Sequence, residues 1–84
     1  MLEILIISPF PYALKTQEEA VKQQLFCDDI SSYRIYSVHA LPREIDEKIS
    51  GQSYDCAYVD CHYISEEIAV IREHIRGNKT IWKF

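Results

Sequence analysis

The residue types that can do chemistry in this chain fall at a few points, and the densest group lies in the stretch YDCAYVDCHY, residues 54 to 63. Tyr54 to Val59 read as a buried strand, Asp60 stops the apolar run, and Cys61 and His62 follow at once. A carboxylate at the tip of a buried strand serves either as a site or as a cap. Ser8 and His39 also stand where apolar, β-forming runs end. With the runs laid parallel in one sheet, all of these groups come to the carboxyl edge, where ligands bind in such folds. His39, Asp60, Cys61 and His62 are all residue types that Zn²⁺ accepts. Adjacent residues of an extended segment point opposite ways, however, so at most two of them are expected to aim inward together. A Cys61–His39 nucleophilic pair is conceivable on the same rim. The plainer expectation is that Asp60 caps the adjoining loop by accepting backbone N–H groups, with no metal and no cofactor.

The elements that must position these groups are legible from periodicity. Leu2 to Ile7 is apolar and β-branched except for Glu3, and Ser8-Pro9 ends it, which suits a buried strand. From Tyr12 to Cys27 the residues Ala13, Leu14, Ala20, Val21, Leu25 and Phe26 fall near one helical stripe. Tyr33 to Val38 is a short run of β-formers. Pro42 opens a short amphipathic helix that pairs Ile45 with Ile49 and ends at Gly51. Tyr54 to Asp60 is the third strand. Ser65 is placed to cap EEIAVIREHIR, whose stripe is Ile68, Ile71 and Ile75, and Gly77-Asn78 end that helix. Thr80 to Phe84 is a fourth strand. Strands alternating with helices predict a single α/β domain over residues 1–84, with a parallel four-stranded sheet and right-handed crossovers.

Composition narrows the function. A formal net charge of −4 and nine basic residues scattered without a stripe argue against nucleic acid as a direct ligand. The opening MLEILIIS is too short for a membrane span and lacks a basic leader. Cys27, Cys56 and Cys61 are an odd set without CxxC spacing, read as reduced thiols of a cytoplasmic protein. The only glycines are Gly51 and Gly77, and neither follows the first strand, so no phosphate-cradling loop is present.

The third strand resembles that of the response-regulator receiver domain, the flavodoxin-like fold of the bacterial chemotaxis regulator. Here YDCAYVD is similar to the family pattern YDLVLLD, whose last Asp accepts a phosphoryl group, and that position is Asp60. IREHIRGNKTIW is similar to the helix-to-strand step of receivers in LytTR-type regulators. The likeness extends over nearly the whole chain and implies a flavodoxin-like three-layer sandwich whose parallel four-stranded sheet runs in order 2-1-3-4. A receiver ends its first strand on two adjacent acids that hold Mg²⁺, whereas this chain has Ser8-Pro9-Phe10 there. Without those carboxylates the hard cation lacks ligands, and phosphoryl transfer lacks its main charge stabilisation. The fifth strand of a receiver, its last two helices, and the Ser or Thr past its fourth strand have no counterpart here.

The resemblance therefore implies a degenerate, phosphorylation-independent receiver: a non-enzymatic module in bacterial signal transduction, of two-component type, or in transcription control. A genuine phosphoacceptor using Asp60, and a small ligand- or metal-binding domain at the His39/Asp60/His62 rim, are the alternatives. Without a fifth strand, the fourth is left as an edge bearing Thr80, Ile81, Trp82 and Phe84, a template for a protein partner or for a homodimer.

Overall fold

The computed structural model describes residues 1–84. Its elements are β1 (Leu2–Ser8), α1 (Pro11–Cys27), β2 (Tyr33–His39), a 3₁₀ turn (Pro42–Glu44) continuing into α2 (Ile45–Ile49), β3 (Tyr54–Val59), α3 (Ser65–Arg72) and β4 (Ile75–Lys83). All strand pairs are parallel, and the sheet runs β2-β1-β3-β4. This is the expected flavodoxin-like α/β arrangement, with the expected strand order.

Strand β1 is central because its residues bury on both faces. Leu5 and Ile7 point to one face and pack with Ile45, Ile49, Ala57, Val59, Ile68 and Ile71. Ile4 and Ile6 point to the other face and meet Leu14, Val21 and Leu25 of α1. Each strand side chain alternates between these layers, which gives two cores separated by one sheet. Helix α1 lies over β1 and β2, while α3 lies over β4 on the opposite face.

Local chemistry sets the helix ends. Pro11 stands at the first helical position of α1, where its missing N–H costs nothing. At the far end Asp29 takes a positive φ of 57°. Its N–H bonds to the Phe26 carbonyl and that of Ile30 to the Leu25 carbonyl, a Schellman closure with Asp in the usual glycine place.

Three local expectations are corrected. Ile64, not Ser65, is the N-cap of α3, and the Glu67 carboxylate accepts the Ile64 backbone N–H at 2.8 Å. Helix α3 stops at Arg72 and does not continue to Arg76, so Ile75 enters the core as the first residue of β4. Gly77 and Asn78 consequently lie within β4, where Gly77 (φ 61°) and Lys79 (φ 55°) turn the chain between Ile75 and Thr80.

The reason is tertiary. The His74 carbonyl accepts the Tyr54 N–H at 2.8 Å, and Arg76 Nη2 reaches Glu3 Oε1 at 2.8 Å and the Ser53 carbonyl at 2.7 Å. Lys79 Nζ then donates to the carbonyls of Arg72 and Ile75, covering the end of α3.

Candidate functional site

Asp60 follows the last residue of β3 at the carboxyl edge of the sheet, and its N–H is tied to the Ile7 carbonyl of β1 at 3.0 Å. This fixes the carboxylate between β1 and β3, and it is only 3% exposed. Oδ2 accepts the Ser8 hydroxyl at 2.6 Å. Oδ1 accepts the His62 backbone N–H at 2.8 Å, an Asx-turn that folds residues 60 to 62 into a tight bend. His62 Nδ1 also approaches Oδ1 to 2.7 Å, and since a carboxylate only accepts, Nδ1 carries the proton. Phe10 packs edge-on against the His62 ring at 5.0 Å between centroids. Ser8 Oγ in turn accepts the Phe10 N–H at 3.0 Å, so one hydroxyl links the first loop to the third.

Both oxygens of Asp60 are thus engaged. The cap expected from the sequence exists. His39 does not join the cluster: its Nε2–H donates to the Pro9 carbonyl at 3.0 Å. Cys61 Sγ lies 3.8 Å from His62 Nδ1. The ligand atoms of Asp60, Cys61 and His62 all fall within 4.8 Å of one another. This corrects the expectation that at most two of these groups come together, because residues 61 and 62 form a turn and not an extended segment. Cys27 and Cys61 are exposed free thiols, whereas Cys56 is buried, and its burial, with Asp55 nearby, pushes its thiol up to about 11. That sulfur is an inert core group.

The interaction edge expected at Thr80 to Phe84 divides between the two faces. Ile81 packs on the α2–α3 core, while Phe84 packs on the α1 side. Trp82 is 47% exposed and stacks on Tyr58, its partner in register, with centroids 4.8 Å apart. Beside this pair lies an open groove of about 580 Å³ between α1 and the β3–β4 face; Ile4, Val21, Leu25, Tyr58 and Trp82 line it, with Asp28 and Lys83 among its few charged residues. It exists because α1 covers β1 and β2 and no helix covers β3 and β4 on that face.

One polar cluster escaped the sequence reading. At the opposite end of the sheet Glu3 accepts from Arg76 Nη2 at 2.8 Å, the Tyr36 hydroxyl at 2.9 Å and Gln52 Nε2 at 3.2 Å. Asp55 joins it through Arg76 and through the Glu3 N–H. The signal was available: Glu3 is the lone charge in an apolar strand.

These carboxylates make stability pH-dependent. Burial alone pushes Asp60 up, but the Ser8 hydroxyl and the His62 N–H groups outweigh it and hold it below its ordinary value. The Arg76 guanidinium and the Tyr36 hydroxyl hold Glu3 low as well. Both groups bind protons more weakly folded than unfolded, so their contribution is fully present above the unfolded carboxylate range. It is lost as pH falls through the folded values. The urea midpoint should therefore fall between about pH 5 and about pH 2. Ser8→Ala, which removes one of these donors, should flatten that fall; an unchanged slope would show that Ser8 does not hold the carboxylate down.

No helix is long and apolar enough to cross a membrane. No family model matches the chain, and neither does any curated protein or any solved structure.

Proposed function

We propose that the chain is a receiver-like regulatory module without enzymatic activity that works by protein–protein contact. Its partner in this reading is a second copy of the chain, and its setting is bacterial two-component signalling or transcription control. The observation that carries the proposal is the uncovered apolar face of β3 and β4, with Trp82 stacked on Tyr58 at its margin. In a doubly wound sheet each face is ordinarily closed by helices. A face left open over two strands exposes the kind of apolar surface that marks an interaction site.

A second copy suits the patch on charge. Its centre is apolar, and its lining carries one acid and one base, Asp28 and Lys83, a balanced pair that an isologous contact can match with itself. The contact engages the face in preference to the edge ladder. The irregular register in β4 and its exposed Lys79 and Lys83 are features that discourage strand addition. Thr80, Trp82 and Phe84 belong to the contact, while Ile81 supports it from behind.

The absence of phosphoryl chemistry in this reading rests on Asp60. A phosphoacceptor needs an oxygen free for attack and a metal to offset charge. Here Ser8 and His62 occupy both oxygens. Incubation with beryllofluoride and Mg²⁺ should leave no Asp60-dependent spectral change, and such a change would establish a true receiver instead.

The dimer is tested by sedimentation over a dilution series. The native chain should shift from dimer to monomer on dilution, and Trp82→Glu, at a half-exposed position that leaves folding intact, should be monomeric throughout. A native chain that stays monomeric at every concentration overturns the reading.

A further inference from the structure

We infer that Asp60, Cys61 and His62 form a binding site for a thiolate-accepting divalent cation, of which Zn²⁺ is the fitting example. This inference rests on donor chemistry and needs no partner, although the Cys61 N–H donates at 2.7 Å to the carbonyl of Phe84, a residue of the proposed contact.

The three donors are of three kinds, carboxylate, thiolate and imidazole, and together they select a borderline-soft cation over Mg²⁺ or Ca²⁺. Their spacing is close to what such an ion requires. Bond lengths of about 2.0 to 2.3 Å place tetrahedral ligand atoms about 3.3 to 3.6 Å apart. Here Nδ1 to Oδ1 is 2.7 Å and Sγ to Nδ1 is 3.8 Å, with all three atoms inside 4.8 Å. Small side-chain rotations of Cys61 and His62, both exposed, bring these distances together.

The surroundings act as a prepared outer shell. The Ser8 hydroxyl holds Oδ2 at 2.6 Å, which aims Oδ1 at the turn. Phe10 sets the plane of the His62 ring. Such outer contacts fix ligand orientation and contribute to affinity. The Asx-turn supplies the remaining pre-organisation, because the backbone already bends the three residues towards one point.

Binding has a defined proton balance. The proton on His62 Nδ1 is given up and Nε2 takes one from water, so the imidazole stays neutral. Cys61 loses its thiol proton, and Asp60 is already ionised. One proton is therefore released per ion bound, and the fourth position is left to water.

Co²⁺ reports the site directly, because a sulfur-to-cobalt charge-transfer band appears only with thiolate ligation, while intense d–d bands mark tetrahedral coordination. Titration of the full chain should give both at one equivalent. Cys61→Ser should abolish the charge-transfer band, His62→Ala should weaken binding at least about tenfold, in line with the loss seen when metal-site contacts are removed, and Cys27→Ser should change nothing. Circular dichroism of each variant confirms folding, which is safe because these three positions are exposed. Absence of a sulfur band in the native chain overturns the proposal. So does a band that survives Cys61→Ser and disappears in Cys27→Ser.

Discussion

Asp60→Ala is expected to destabilise the fold by about 2–4 kcal/mol, from the loss of charge-assisted hydrogen bonds and from buried donors left without partners. The Ser8 hydroxyl is fully buried and donates to Asp60 Oδ2, so the truncation strands it. The His62 N–H loses the acceptor that closes the turn. A stability of about 0.05–0.15 kcal/mol per residue makes this a large fraction of the total for so short a chain. Asp60→Asn keeps an acceptor for one donor and should cost roughly half as much. Because Ser8 and Asp60 act on each other, Ser8→Ala combined with Asp60→Ala should cost less than the two separate losses together. Urea unfolding measures all four variants against the native chain. If Asp60→Ala unfolds at the native midpoint, the carboxylate is not a structural cap.

Ile7→Ala should cost about 2–5 kcal/mol, the range for an isoleucine truncated in a core that cannot collapse around the gap. Ile7 is fully buried, and its neighbours in register are Val38 on β2 and Val59 on β3. Both flanking strands are held by backbone ladders, so the cavity is rigidly walled. Phe26→Ala provides the contrast. Phe26 falls near the helical stripe in the sequence, yet it is 82% exposed, and its loss should stay within about 0.5 kcal/mol. Thermal or urea unfolding separates the two. A cost below about 1 kcal/mol for Ile7→Ala would be incompatible with β1 at the centre of the sheet.

Phe26 illustrates where periodicity stops being informative. A stripe about 100° wide admits residues at its margin, and only the position of α1 over β1 and β2 decides which of them meet the sheet. Ile75 is a sharper case. Its spacing from Ile71 satisfies a helix, and one four-residue step cannot distinguish a last turn from a first strand residue. Arg76 decides it through Glu3, 73 positions earlier in the chain. The site divides in the same way. Asp60 at the tip of an apolar run was legible, and so was its capping of a neighbouring N–H. The convergence of Cys61 and His62 was not, because it depends on a turn that the Asp60 side chain itself closes.

What the sequence determined alone was the order of elements, the parallel sheet and the burial of β1. Each follows from local rules: β-branched runs buried on both faces, helical stripes between them, and crossovers of one hand. The tertiary structure decided which groups meet. It gave Ser8 to Asp60, Arg76 to Glu3, and an uncovered groove to Trp82. The physical reason is distance along the chain. Hydrophobic periodicity is written within a few residues, whereas a hydrogen bond between Ser8 and Asp60 spans 52 positions and exists only after the sheet has brought two strand ends together.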